Sequence, residues 1–277
     1  MKQKIRFGPA GKPINFKGKA YQACTYLKEH QLEAYEYQST YGIKITEKSA
    51  KELKKDATKN NILISMHAPY YINLSSQKEE TIQKSIQRIT QSVKTGEWMG
   101  AYRIVFHPGF YTKYTPPQAM NITKKAIKQT LTEIENQGIK NYNLAPETTG
   151  KKSQLGNLDE IIELCTTFEH VKPTIDFAHL HARDTGLFQQ KQDFNKIFTK
   201  LEENLNINTL HCHFTSIEYT DKGEKKHHTL ENPEYGPNVN WFLETLIENG
   251  WNATIICETP LIDQDALKMK QIYENLK

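Results

Sequence analysis

Eight side chains of this 277-residue chain have the chemistry of metal ligands and stand where such ligands are useful: His67, His107, Glu147, Asp176, His179, His213, His227 and Glu258. Seven of them fall at or just past the end of an apolar run. His67 closes Ile62-Leu63-Ile64-Ser65-Met66, and His107 opens His-Pro-Gly. Glu147 lies in Pro-Glu-Thr-Thr-Gly, Asp176 and His179 in Asp-Phe-Ala-His, and Glu258 in Cys-Glu-Thr-Pro. His213 sits near the end of its run, and His227 follows on a polar stretch with His228. A lone histidine at a strand end is more often structural than not. A recurrence along the chain points to a site. Imidazole and carboxylate without thiolate suit Zn²⁺, Mn²⁺ or Fe²⁺. One ion rarely takes more than about four protein ligands, so eight candidates imply two or three ions.

Other residues of the same types read differently. His30, His170 and His181 have no strand-end position and are expected on the surface or in the core. His211 and His213 are two apart on one run, so they point the same way. His213 is nearer the mouth and the better ligand, and His211 is expected one layer deeper. Cys212 points oppositely and packs. Tyr70 follows His67 by three and is expected to border the site.

These residues need elements that bring distant positions together. Eight strand-like runs appear, at residues 5–10, 34–38, 62–67, 102–107, 142–147, 174–179, 209–215 and 253–258. Each is followed by an amphipathic stretch long enough for a helix: 17–30, 46–60, 78–95, 116–137, 157–169, 191–204, 237–249 and 263–276. Pro116 and Pro117 suit a first helical turn, Gly138 a helix end and Asn157 an N-cap. A long polar insertion spans 216–235. Eight strand–helix units in series imply α/β architecture, a single (β/α)8 TIM barrel over residues 1–277. All strand C-termini of such a barrel share one face, so the eight ligand types converge there. An open doubly wound sheet would show a glycine-rich phosphate turn after its first strand, and Gly8-Pro9-Ala10-Gly11 is not that turn.

Composition sets the remaining bounds. A net charge of +4 is compatible with a polyanionic partner without requiring one. No run of 18 apolar residues spans a membrane, and the N-terminal stretch lacks a signal-peptide core. The four cysteines are scattered without CxxC spacing, which fits a reducing cytoplasm.

Taken together the motifs resemble endonuclease IV, the apurinic/apyrimidinic endonuclease family of the xylose isomerase-like barrel superfamily. The carriers are His67-Ala68-Pro69-Tyr70-Tyr71-Ile72-Asn73-Leu74, His107-Pro108-Gly109, Glu147-Thr148-Thr149-Gly150, Asp176-x-x-His179, His213, His227-His228-Thr229-Leu230 and Glu258-Thr259-Pro260. They run in the family's order from about residue 62 to 260. The resemblance implies a zinc enzyme of base-excision DNA repair with two or three Zn²⁺ per chain, Mn²⁺ being an alternative. His67 and His107 would hold one ion, with Glu147 bridging to a second held also by Asp176, His213 and Glu258. His179 and His227 would hold the third. Glu147 and Glu258 become the catalytic carboxylates and Tyr70 a DNA contact; apart from the resemblance, Lys225 and Lys226, among the lysines of the barrel-top loops, are expected to bind DNA phosphates. The implied reaction cleaves the phosphodiester 5′ to an abasic site in double-stranded DNA, leaving a 3′-hydroxyl and a 5′-deoxyribose phosphate. A water acidified by two bridged ions would be the nucleophile. The protein is expected to act as a monomer, in the cytoplasm and away from membranes.

The chain departs from the family in three places. The third ion's aspartate is expected two residues before the loop histidine, where Lys225 stands; Glu224 and Asp221 are the nearby carboxylates. The N-terminal loop Gly8-Pro9-Ala10-Gly11-Lys12 lacks the usual histidine. The loop 37–42 lacks the family's DNA-probing arginine. Two rival readings remain open. A single-metal sugar isomerase or epimerase of the same superfamily would use Glu147, Asp176, His213 and Glu258, and has no need of His67, His107 and His227. A non-catalytic DNA-binding barrel with a partial metal site is favoured by Lys225 alone.

Overall fold

A computed structural model describes residues 3–232 and 234–277. Pro233, within the expected insertion, lies outside the described residues. Eight strands form the barrel wall: β1 (Ile5–Pro9), β2 (Ala34–Gln38), β3 (Leu63–His67), β4 (Ile104–Phe106), β5 (Leu144–Pro146), β6 (Ile175–Asp176), β7 (Thr209–Phe214) and β8 (Asn252–Cys257). Parallel ladders join β1 to β8, β8 to β7 and β7 to β6, and separately β2 to β3 to β4 to β5. Parallel bridges close the wall at two seams, with Leu144 to Val171 adding to the second. Ala10 pairs with Glu36 between β1 and β2, and Glu147 with Thr174 between β5 and β6. The β1–β2 seam leaves no room for a side chain at Gly8, whose added Cβ would stand 1.9 Å from the Ala34 carbonyl oxygen.

Nine α-helices run among the described residues, and those outside the wall press one face onto it. These are α1 (Ala23–Glu29), α2 (Glu47–Asn60), α3 (Glu79–Met99), α4 (Pro116–Asn136), α5 (Leu158–Thr167), α6 (Phe177–Arg183), α7 (Lys191–Leu205), α8 (Val239–Glu248) and α9 (Ile262–Asn275). In α3 the buried residues Ile82, Ile86, Ile89 and Val93 recur at helical spacing, which makes a single apolar stripe. Local chemistry sets the ends. Thr46 accepts from the Ser49 N–H to start α2, and Asn61, at φ 54°, ends it in the left-handed region. Asn157 and Glu160 cap α5 reciprocally, each accepting from the other's backbone N–H. Pro116 takes the first turn of α4.

The architecture matches the expected barrel, with three local differences. The helix expected over 17–30 begins only at Ala23, after a 3-10 turn at Ala20–Gln22. The sixth strand stops at Asp176, because Asp176 Oδ1 accepts the His179 N–H at 2.7 Å and so caps α6. His179 therefore projects from a helix rather than a strand. The insertion 216–235 is not all loop: Ser216–Thr220 and Gly223–His228 pair as an antiparallel hairpin, so His227 and His228 lie on a strand. A second short pair, Gly109–Phe110 with Gln154–Leu155, lies beyond the ends of β4 and β5.

Replacing Gly8 with alanine forces β1 and β2 apart. The expected cost is about 2–3 kcal/mol, read as a lower urea midpoint at unchanged m-value. A midpoint equal to wild type would show that the seam yields freely.

Candidate metal centre

The ligand types converge on Glu147, which follows β5 and is buried. One carboxylate oxygen, Oε2, lies 3.2 Å from His67 Nε2 and 3.2 Å from His107 Nε2. The other, Oε1, lies 3.1 Å from His179 Nδ1 and 3.2 Å from His213 Nδ1. The same His213 nitrogen is 3.3 Å from Glu258 Oε1. Asp176, His213 and Glu258 bring ligand atoms within 4.8 Å of one another, as do His67, His107 and Glu147. Register explains the convergence: Asp176 pairs with His213, and His213 with Ile256, two residues before Glu258.

Backbone carbonyls set the ring orientations. Nδ1 of His67 bonds the Ala68 carbonyl at 2.7 Å, Nδ1 of His179 the Thr148 carbonyl at 2.9 Å, and Nδ1 of His227 the Glu258 carbonyl at 3.1 Å. A carbonyl only accepts, so each Nδ1 carries the proton and each Nε2 is left with its lone pair for a cation.

The third group is His179, His227 and Glu224. Glu224 Oε2 is 3.6 Å from His179 Nε2, and its Oε1 is 3.7 Å from His227 Nε2. Glu224 and His227 are three apart, a spacing that would put them on opposite faces of a regular strand. A β-bulge resolves this. Glu218 pairs with Lys226 but Tyr219 with Glu224, so Lys225 is the unpaired extra residue. Lys225 instead meets Glu218 in an ion pair on the hairpin's outer side. The hairpin is held down where the Glu224 N–H donates to the Gly150 carbonyl at 3.0 Å. Gly223, at φ 97°, permits that approach, since a Cβ there would stand 2.2 Å from the Gly150 oxygen.

The donor set fits cations. Glu147 Oε1, Asp176 Oδ2 and both nitrogens of His213 are buried without a well-aligned hydrogen-bond partner, an arrangement that is costly unless a cation supplies the missing interaction. Electrostatics agree. Burial favours the neutral form of Glu147, yet the His213 and His107 charges hold it well below the usual carboxylate range. Burial disfavours charge on His213, but Glu36, Glu258 and Glu147 push its pKa well above the imidazole range. His179 is raised likewise by Asp176, Glu147 and Glu224 against its burial. Asp176 is raised mainly by burial, with Glu147 and Glu258 adding to it. Such a cluster of carboxylates demands positive charge.

The mouth above these groups is a cavity of about 280 Å³, rimmed by Tyr70, Phe110, Lys151 and Gln154. A larger hollow of about 460 Å³ lies beside His181 and Trp241, but among the described residues the ligand-type clusters gather at the mouth and just beneath it. Tyr70 borders the site as expected, its ring 5.6 Å from that of His67, and it is 52% exposed. Lys226 is exposed on the hairpin. His228 turns away to Glu218 and stacks on Tyr235. His30 and His170 are exposed and stack on Tyr26 and Tyr142; His181 is buried. His211 does sit one layer deeper. The residue missed from the sequence is Glu36 on β2, buried between His211 and His213. Its signal was a charged residue inside the otherwise apolar run Ala-Tyr-Glu-Tyr.

A barrel with this mouth defines a class, and the comparisons agree. The family model described as xylose isomerase-like TIM barrel matches residues 24–276, and the chain belongs to that family. An uncharacterised protein of Methanocaldococcus jannaschii is 36% identical over 98% of this chain and 97% of its own length. A probable endonuclease 4 of Aster yellows witches'-broom phytoplasma is 23% identical over 95% of this chain and 90% of its own. Among solved structures, endonuclease IV from Thermus thermophilus superposes with TM-score 0.72 at 15% identity, covering 98% of both chains. A D-tagatose 3-epimerase-like protein superposes with TM-score 0.68 at 21% identity, covering 91% of both.

The bulge makes a specific prediction for zinc titration of the apoprotein. Glu224→Gln should lose one tightly bound equivalent, whereas Lys225→Ala should lose none. Deleting Lys225 should also keep the equivalent, because Glu224 and His227 then stand two apart on one face. Loss of an equivalent in Lys225→Ala would overturn this placement.

Proposed function

We propose that this chain is a metal-dependent DNA repair endonuclease that cuts the phosphodiester 5′ to an abasic site. The observation that carries the reading is that His67, His107 and His227 join Glu147, Asp176, His213 and Glu258 in one mouth. A single-ion site would use only the last four. The likeness to proteins named probable endonuclease 4 supports it.

His67, His107 and Glu147 would hold one zinc ion; Glu147, Asp176, His213 and Glu258 a second; His179, Glu224 and His227 a third, with manganese as an alternative metal. Bound there, the ions supply positive charge for a phosphate and a water acidified toward neutral pH. Glu258, whose side chain is 15% exposed, faces the cavity and would orient that water and take its proton. The new bond forms from water oxygen to phosphorus, and the bond from phosphorus to the 3′ oxygen breaks. The 3′ oxygen would take a proton from solvent water at the mouth and leave as a 3′-hydroxyl, Glu258 would return its proton to solvent, and the other fragment keeps a 5′-deoxyribose phosphate.

The mouth's size favours the substrate. Ligand pockets commonly hold roughly 300–1,000 Å³, so about 280 Å³ suits a sugar phosphate without its base. An abasic nucleotide also costs least to turn out of a duplex. Tyr70, Tyr71 and Tyr41, 52%, 58% and 76% exposed, supply aromatic faces to fill the gap left in the stack. Lys12, Lys113, Lys151, Lys152, Lys222 and Lys226 are exposed for backbone phosphates.

The epimerase reading keeps one specific support, the D-tagatose 3-epimerase-like superposition, with Glu147 and Glu258 as its acid and base. Against the non-catalytic DNA-binding reading stands Glu224, whose carboxylate lies 3.6 Å from His179 and 3.7 Å from His227 and would serve where Lys225 cannot.

The test is a duplex oligonucleotide with one abasic site, alongside elemental analysis. Two or three zinc per chain and a nick ending in a 3′-hydroxyl are expected. Glu147→Gln should lower the nicking rate at least about 10²-fold, the scale of losing one electrostatic stabiliser. A metal-loaded protein that leaves the abasic duplex intact but epimerises a ketose would transfer the assignment to the epimerases.

A further inference from the structure

His213 differs from His67, His179 and His227. In His67 and His227 the nitrogen turned from the centre of each cluster bonds a backbone carbonyl, and in His179 the Nδ1 that faces Glu147 also bonds one. In His213 the roles of the two nitrogens are exchanged. Nδ1 faces Glu147 and Glu258, and Nε2 points down into the barrel, 3.0 Å from Glu36 Oε1. No carbonyl serves this ring. Both of its nitrogens lack a well-aligned hydrogen bond, so its tilt depends on what stands below it.

Glu36 is itself pinned. Ser65 Oγ donates to Oε2 at 2.9 Å, and Gln38 Nε2 donates to Oε1 at 3.1 Å. His211 Nε2 lies 3.2 Å from Oε2, while its Nδ1 is 2.6 Å from the Tyr102 hydroxyl. Tyr102 donates, so His211 Nδ1 accepts, and His211 Nε2–H is left to donate to Glu36. The chain of contacts runs Tyr102, His211, Glu36, His213, with every member from a different strand or strand edge except the two histidines on β7. Glu36, His211 and His213 are close enough to hold an ion of their own. The Ser65 and Gln38 donors already occupy the carboxylate, however, so the trio works as a hydrogen-bonded support.

We propose that Glu36 is a positioning residue for His213: its carboxylate, 3.0 Å from Nε2, attracts the Nε2–H electrostatically, keeps the Nδ1 lone pair toward Glu147 and Glu258, and so sets metal affinity at that group alone. The proposal rests on the metal-centre reading. A carboxylate behind a ligand histidine orients the ring and raises its basicity, and losing it commonly costs about 10–100-fold in affinity.

The test is Co²⁺ titration of apoprotein, followed by its visible absorption, with Zn²⁺ affinities from chelator competition. Glu36→Gln should weaken one equivalent about 10–100-fold and alter the absorption of that equivalent, with the remaining equivalents as in wild type. Apoprotein melting is measured beside it, since a purely structural role would lower melting and leave affinities equal. If Glu36→Gln does not fold, Ser65→Ala, which removes one of the two donors to Oε2 without touching His213, should weaken the same equivalent several-fold. Wild-type affinities in the folded variant overturn the proposal alone. A wild-type apoprotein that takes up neither Co²⁺ nor Zn²⁺ overturns the metal-centre reading and the proposal with it.

Discussion

The burial of one carboxylate, Glu147, organises this molecule. An ionised carboxylate inside a barrel is costly unless it is paired, and removing partners from a buried charge is more costly still. Imidazoles from four separate elements reach its two oxygens at 3.1–3.2 Å, so the pairing charge is carried on those rings or by a cation held between them and the carboxylate. Those imidazoles arrive from the ends of β3 and β4, from α6 and from β7. The barrel's closure is what delivers them: the bridge between Glu147 and Thr174 lies at one of the two seams that join the halves of the wall. Fold and site share the same backbone contact, so the electrostatic demand and the topology are met together.

The barrel and most of the mouth were legible in the sequence because both depend on periodic features. Buried strands read as apolar runs, and ligand types at their ends stand out against them. His67, His107, Glu147, Asp176, His213 and Glu258 were found in that way, and the structure brings them together. His179 was found through its motif but assigned to the wrong element. Its helix starts from a side-chain cap, and the same Asp176 that looks like a strand-end ligand supplies that cap.

One residue was not legible and another only in part, for different reasons. Glu36 reads as a polar interruption in a strand, and only the packed barrel shows that His211 and His213 stand over it. Its role exists in contacts between β2 and β7, which no local pattern records. The position of Glu224 is obscured by spacing. Strand geometry alternates faces, so counting residues back from His227 lands on Lys225. The bulge adds one residue and restores the alternation, and the carboxylate appears one place earlier than the count predicts.

The carbonyl partners of His67, His179 and His227 have a consequence for how this centre can change over generations. A main-chain oxygen is present whatever side chain its residue bears. No single amino-acid replacement at Ala68, Thr148 or Glu258 deletes those acceptors, so the three rings are sheltered from drift at the positions behind them. Glu36 is coded by its own side chain and has no such shelter. If Glu36 positions His213 as proposed, His213 is, of these four rings, the one through which inherited variation behind the ligands would retune the choice of ion while the rest of the mouth stays as it is.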